Sequence, residues 1–261
     1  MKNLFLQLKK LPKLILITSL AITLVSFVDN RNVEASINVF LIGDSTMANK
    51  PGSPDENPER GWGQLLSEFF KETATVQNHA VNGRSSKSFL GEGRWETILD
   101  DLESGDYVFI QFGHNDQKVA DPKRYTNPWS GYRRNLEKFV SETRAKGAYP
   151  ILLSSIVRRK FNEQGTLVDT HGPYPFVTRW VAEQMEVPFI DMQLLTEDYI
   201  NEIGLEKSKE IYLWIEPGQY EKLPNGVQDN THLTLKGATE YARLVAKELI
   251  RLDLPLAQYL K

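Results

Sequence analysis

The chain has 261 residues, 41% hydrophobic, 25% charged and 10% aromatic, close to the globular average and outside the disordered and fibrous classes. Its net charge of -3 argues against a nucleic-acid binder with a broad basic face. The absence of cysteine excludes disulfide scaffolds, cysteine-based zinc and iron–sulfur sites, thiol nucleophiles and a lipidated N-terminal cysteine.

Lys2, Lys9, Lys10 and Lys13 precede an uncharged, mostly apolar run from Leu14 to Val28. That run is shorter than the roughly 20 residues a spanning helix needs. Val33-Glu34-Ala35 offers compact residues at the -3 and -1 places of a cleavage site. Residues 1–35 therefore read as a signal peptide cut near Ala35, with export to the periplasm or the extracellular space. An uncleaved anchor is the alternative, because Asp29 to Glu34 is not a clean cleavage region. Without residues 1–35 the chain keeps 26 basic and 32 acidic residues, a net charge of -6. Once cut, it should hold no stable membrane association.

Residues 36–261 alternate two periodicities. Ile37 to Ile42, Thr75 to Val81, Tyr107 to Phe112, Tyr149 to Ser154 and Val187 to Ile190 are apolar runs of strand length. Between and after them, Gly61 to Glu72, Gly131 to Lys146 and Thr234 to Leu252 place apolar residues three and four apart, the period of an amphipathic helix. Near-continuous apolar strands separated by helices predict a five-stranded parallel sheet covered on both faces. The fold class is thus a three-layer α/β/α sandwich in a single domain over 36–261. No repeat or Pro/Ser-rich linker divides it.

In such a sheet ligands bind beyond the carboxyl ends of the strands. There stand Gly43-Asp44-Ser45-Thr46, Asn82-Gly83-Arg84-Ser85, Gly113-His114-Asn115-Asp116 and Ser155 with Arg158-Arg159-Lys160, and Asp229-Asn230-Thr231-His232 precedes the last helix. No G-x-S-x-G elbow, phosphate-binding glycine loop or H-E-x-x-H occurs, and His79, His114, His171 and His232 lack metal-ligand spacing. What remains is a serine assembly. A hydroxyl attacks an ester only if a base takes its proton, and an imidazole held by a carboxylate is that base near neutral pH. Ser45 would be the nucleophile, His232 the base and Asp229 its orienter, the last two brought together by a turn before the helix. An unperturbed imidazole pKa of about 6.5 puts the loss of activity below about pH 6. The oxyanion needs donors. The candidates are the Ser45 N–H at a helix start, the Gly83 N–H and the Asn115 side-chain amide. Arg84 and Arg158 are the candidate sugar contacts, on an active rim that would also carry Lys87, Arg94, Arg159 and Lys160. The five tryptophans read mainly as core or helix-face residues, with room for one or two sugar platforms.

The ordered set Gly43-Asp44-Ser45, Gly83, Gly113-His114-Asn115-Asp116 and Asp229-x-x-His232 resembles the four blocks of the SGNH, or GDSL, hydrolase superfamily. Ile42-Gly43-Asp44-Ser45-Thr46, Asn78-His79-Ala80-Val81-Asn82-Gly83-Arg84-Ser85, Gly93-Arg94-Trp95 and Phe112-Gly113-His114-Asn115-Asp116 bring it nearest to the rhamnogalacturonan acetylesterase family. That resemblance implies a flavodoxin-like strand order 2-1-3-4-5, the same assignment of Ser45, Asp229, His232, Gly83 and Asn115, and no metal or organic cofactor. It also implies a serine esterase that removes acetyl groups from pectic rhamnogalacturonan. Another acylated target, such as acetylxylan or a lipid, and a non-catalytic carbohydrate-binding module are the alternatives. The module should have lost Ser45, Asp229 or His232, and all three are present.

Overall fold

The computed structural model describes residues 36–261. The expected signal peptide and its cleavage point lie outside them. Five parallel strands form the main sheet: β1 (Ile37–Gly43), β3 (Ala74–Asn78), β4 (Tyr107–Gln111), β5 (Tyr149–Leu153) and β6 (Phe189–Ile190). Their spatial order, β3-β1-β4-β5-β6, is 2-1-3-4-5 when the five are counted along the chain. β1, the first of the described strands along the chain, is an inner strand between β3 and β4.

The inner strands are apolar at most positions because both faces are covered. Side chains alternate across a strand, and here each face feeds its own core. Val39, Leu41, Phe109, Ile151 and Leu153 pack with Trp62, Met192, Ile200, Tyr241 and Val245. Phe40, Ile42, Val108, Ile110 and Leu152 pack with Phe89, Trp95, Phe139, Val177 and Val181. The first face is covered by α1 (Trp62–Leu65), α6 (Met192–Lys207) and α7 (Leu235–Arg251). The second is covered by α2 (Ser86–Gly91), α3 (Arg94–Asp101), α4 (Arg133–Ala145) and α5 (Tyr174–Gln184). Each fully buried side chain of this size contributes roughly 1.5–3 kcal/mol relative to exposure.

Two expectations need correction. The helix expected over Gly61 to Glu72 is a single α-turn, α1, continued as a 3-10 turn over Leu66–Phe69. Gly61 and Gly63 leave no helix-favouring side chain at its start, and a Cβ on either would lie under 3 Å from the Met47 or Ala48 backbone. The segment is selected for close approach rather than for length. Second, a small antiparallel sheet stands beside the large one, with β2 (Glu59–Arg60) and β7 (Tyr212–Ile215) flanking β8 (Val227–Thr234). Its strands are too short or too polar to register as apolar runs. Among the described residues, no helix is long and apolar enough to cross a membrane.

Candidate active site

The turns that leave the carboxyl ends of β1, β3 and β4 carry the first three blocks. Ser45 stands two residues past the end of β1. It does not open a helix, as the sequence suggests. It stands in a turn closed by the Asp44 carbonyl, which accepts from Met47 N at 3.2 Å and Ala48 N at 3.0 Å. Asp44 is fully buried, and its Oδ1 accepts from the Thr46 N–H and hydroxyl, each at 2.9 Å. Burial pushes its carboxyl up, but His114 and the Thr46 donors outweigh that and hold it below the usual range. Asp44 thus fixes the turn that presents Ser45.

Beyond β3, His79 N bonds to the Leu41 carbonyl and Val81 N to that of Gly43, so the chain runs alongside β1 up to the second block. Arg84 N closes a turn on the Val81 carbonyl, with Gly83 at φ +76°. Only glycine takes that backbone without strain. Asn115 is 3% exposed, and its amide Nδ2 donates to the Arg84 carbonyl at 3.0 Å, which ties the third block to the second. Below it Asp116 accepts from Ser86 N, from the Ser86 hydroxyl at 2.5 Å and from the Thr126 hydroxyl at 2.8 Å. Burial pushes its carboxyl up to about 6 against those donors.

Asp229 and His232 arrive from the small sheet. They lie within β8 and not in a turn after it. The ladder explains how a strand can present them. Tyr212 pairs with Leu233 and Trp214 with Gln228, so Leu213 alone stands opposite the whole stretch Asp229 to His232. The surplus chain bulges out. Within the bulge, Asp229 Oδ1 accepts from Thr231 N at 2.7 Å and His232 N at 3.0 Å. The local turn read from the sequence is therefore present, inside the strand. Arg159 supports the bulge from beneath, with Nη1 3.4 Å from Asn230 Oδ1 and its guanidinium over the Trp214 ring. It is 5% exposed and is a buried support, not the rim cation the sequence suggests.

The result is a chain of three side chains. His232 Nδ1 lies 2.7 Å from Asp229 Oδ2, and its Nε2 lies 2.9 Å from Ser45 Oγ. Burial pushes the Asp229 carboxyl up, but the His232 ring, its charge, and the backbone donors of His232 and Thr231 bring it down to about 2. Burial pushes the His232 imidazole down, and the Asp229 hydrogen bond and charge, aided by Glu59, raise it above its usual value against Lys50. With Nδ1 protonated and bound to the carboxylate, Nε2 is free to accept the Ser45 proton, the arrangement that activates a hydroxyl for acyl transfer.

The remaining candidates separate. Arg158 is anchored behind the third block: its Nη1 donates to the Thr170 carbonyl and hydroxyl, and its Nη2 lies 3.4 Å from the His114 carbonyl. Arg84 is turned to Glu92, whose carboxylate it shares with Arg94. Lys87 donates to the Pro122 carbonyl. His114 and His171 are buried ring against ring at 4.6 Å, and burial pushes both imidazoles down. Trp62 and Trp95 are core residues whose N–H groups bond Gln111 and Glu142. Trp129 is 57% exposed, beside Phe176, and is the one tryptophan open enough for a sugar face. Sequence reasoning misses Arg124, whose Nη1 lies 3.4 Å from Asn115 Oδ1. No block motif contains it, and its contact depends on how the 117–127 loop folds back. Among the described residues, no group of three or more His, Asp or Glu side chains is placed to hold a metal ion. A cavity of about 510 Å³ at the opposite edge, lined by residues that include Tyr107, Tyr149, Val187 and Leu254, has none of the blocks in its lining.

The model of the GDSL-like lipase/acylhydrolase family matches residues 41–239, from inside β1 into α7 and across all four blocks. The chain belongs to that family. Its relatives include the rhamnogalacturonan acetylesterase RhgT of Bacillus subtilis, 42% identical over 224 residues that cover 86% of this chain and 94% of that protein. The probable rhamnogalacturonan acetylesterase YesY of the same organism is 36% identical, over 85% of this chain and 96% of that protein. Among solved structures, the protein YxiM of B. subtilis superposes with a TM-score of 0.69 at 26% identity, over 85% of this chain and 58% of that one. The acetylxylan esterase Axe2 of Geobacillus stearothermophilus gives 0.58 at 20% identity over 82% and 94%, a likeness of fold. These family relationships accord with the parallel sheet and its strand order.

Proposed function

We propose that this GDSL-family chain is a serine esterase that removes acetyl groups from a plant cell-wall polysaccharide, most directly pectic rhamnogalacturonan. The observation that carries the chemistry is the continuous contact from Asp229 through His232 to Ser45, at 2.7 and 2.9 Å. In the proposed reaction His232 Nε2 takes the Ser45 proton as Oγ adds to the acetyl carbonyl. The Ser45 and Gly83 N–H groups and the Asn115 amide receive the oxyanion. The imidazolium, steadied by Asp229, then gives its proton to the sugar oxygen as the bond from that oxygen to the acyl carbon breaks, leaving a sugar hydroxyl and acetyl-Ser45. Water enters, gives its proton to His232, and attacks the acetyl-Ser45 ester, releasing acetate and restoring the hydroxyl. No metal or organic cofactor has a part in these steps.

The acetyl-polysaccharide assignment draws on the named activities of the relatives, and Arg158 and Arg84 are the proposed sugar contacts. Export through residues 1–35 would bring the enzyme to such a polymer. The test is acetate release by the purified chain from p-nitrophenyl acetate and from a panel of acetylated rhamnogalacturonan, acetylated xylan and esters of rising acyl length. Activity on acetylated rhamnogalacturonan above the other substrates is the expected result. Preference for long acyl chains, or no hydrolysis of any ester, would overturn the reading.

A further inference from the structure

In the first and third blocks one residue stands just ahead of the one with a part in the proposed reaction: Asp44 before Ser45, and His114 before Asn115. Neither has a step of its own. The two meet in the interior, with His114 Nδ1 3.3 Å from Asp44 Oδ2 and side chains 4% and 0% exposed. Neither atom has another polar partner among the described residues. Asp44 Oδ1 is supplied by the Thr46 N–H and hydroxyl. Oδ2 therefore depends on the imidazole. Arg158 and Lys118 feel the Asp44 charge through space, but the Arg158 guanidinium is spent on Thr170 and the His114 carbonyl.

The imidazole is wedged in place. His171, 2% exposed, stands edge to face against it, with centroids 4.6 Å apart and planes at 84°. The His171 backbone N–H is held in turn by Asp169 Oδ1 at 2.8 Å. Burial pushes both imidazoles below their usual range, so the His114 ring is neutral near pH 7 and can donate a hydrogen bond without carrying charge.

Acyl transfer needs such a contact here. A buried carboxylate one residue from Ser45 opposes the negative charge that develops on the acetyl oxygen. A buried oxygen left without a donor also costs the turn stability.

We infer that His114 is a positioning residue for acyl transfer, its Nδ1–H donating to Asp44 Oδ2, so that it fastens the Ser45 turn to the Asn115 turn and draws the carboxylate charge away from the oxyanion donors. No proton changes owner in this role. The inference rests on the serine-esterase reading above and adds to it a residue outside the Asp229–His232–Ser45 chain.

The test compares two replacements of His114, with p-nitrophenyl acetate as substrate. His114→Phe keeps a flat ring against His171 and has no donor. His114→Asn places an amide nitrogen close to the position of Nδ1. His114→Phe is expected to lower kcat by roughly ten- to hundredfold, the effect of leaving a buried charged acceptor without its donor. KM should stay within about threefold, because the contact serves the transition state and not substrate binding. His114→Asn should recover most of the loss. Asp44→Asn removes the charge but keeps an acceptor for Thr46, and in that background His114→Phe should cost less than about threefold. Thermal melts give the folded fraction of each variant. The comparison of Phe with Asn decides the matter even where Asp44→Asn does not fold. Wild-type kcat in the folded fraction of His114→Phe, or a His114→Asn enzyme as damaged as His114→Phe, would overturn the donor role and leave packing alone. An equal loss in both Asp44 backgrounds would overturn the route through Asp44. Hydrolysis by Ser45→Ala at the wild-type rate would remove the serine reading itself, and this assignment with it.

Discussion

His232 Nε2 and Ser45 Oγ meet at 2.9 Å across 187 positions of sequence, one on the bulge of the small sheet and the other on the turn after β1, an inner strand of the large one. If this contact activates the hydroxyl, removing either partner removes the covalent route. Ser45→Ala and His232→Ala should each lower kcat by roughly 10⁴–10⁶, and the double variant should be little worse than either, because the pair acts as a unit. Neither side chain supports a core, so the melting temperature should stay within a few degrees of wild type. Steady-state kinetics with p-nitrophenyl acetate and thermal melts check both statements.

The pH profile follows from the sign of the His232 shift. An unperturbed imidazole would lose activity below about pH 6. Asp229 raises this one above its ordinary value of 6.5, so kcat/KM should begin to fall at a higher pH than the sequence alone suggests. Glu59 and Lys50 bias His232 in opposite directions. Glu59→Gln should therefore move the acid limb down in pH, and Lys50→Met should move it up. A purely structural effect of either variant would lower the rate without moving the limb.

The same pair has a stability signature, and its two members act at opposite ends of the scale. The raised His232 contributes stability below its unfolded pKa of 6.5, and this is lost as pH rises through the higher folded value. The depressed Asp229 contributes above its unfolded 3.8, and this is lost as pH falls towards about 2. Urea titrations of the wild type and of Asp229→Asn across that range should differ most between pH 4 and pH 6, where both contributions are present, with the midpoints converging as pH falls towards 2 and the gap narrowing by the His232 share alone as pH rises past 6.5.

Asn115 offers a sharper test of the oxyanion assignment. Asn115→Ala should lower kcat by roughly 10²–10³ with KM nearly unchanged, since the amide matters only once charge develops on the carbonyl oxygen. Asn115→Asp should be at least as damaging, because a carboxylate repels the oxyanion. A role as a plain turn residue predicts the reverse order, with Asp tolerated and kcat of the folded fraction near wild type.

Gly83 tests the backbone of the same site. At φ +76° an alanine is strained by roughly 1–2 kcal/mol. The added Cβ would meet nothing closer than Arg124 Nη1 at 3.7 Å, so the cost should be conformational rather than steric. Gly83→Ala should lower the melting temperature by about 2–4 °C per kcal/mol. The Gly83 N–H survives the change, so the loss of kcat should be smaller than in Asn115→Ala.

The large sheet was legible because its strands are covered on both sides: Phe40 to Ile42 and Val108 to Ile110 carry apolar residues at consecutive positions, a local signal of burial. Ser45, Gly83, Asn115, Asp229 and His232 were legible as short polar blocks at strand ends. What the sequence could not display was the small sheet. β2 is Glu59–Arg60 and β8 reads Val-Gln-Asp-Asn-Thr-His-Leu-Thr, and neither has an apolar run, because their pairing is set by β7 and by the chain that folds over it. Charge-bearing residues were equally opaque. Arg84, Arg124, Arg158 and Arg159 are alike as letters, and only their tertiary partners divide them into a surface pair, a contact on Asn115, an anchored neighbour of His114 and a buried prop for Asn230.

The inner place of β1 also dictates when the molecule can form during synthesis. Of the described strands, the first to emerge from the ribosome has no edge of its own to sit on. Its two neighbours are β3 and β4, and the second becomes available only after Gln111 has been made. The core that α7 completes waits for residues near the C-terminus, because Tyr241 and Val245 pack with Val39 and Leu41. With so many of its pairings between distant parts of the chain, folding should be slow and largely post-translational. The nascent polypeptide is thereby an esterase only after its last helix has been delivered.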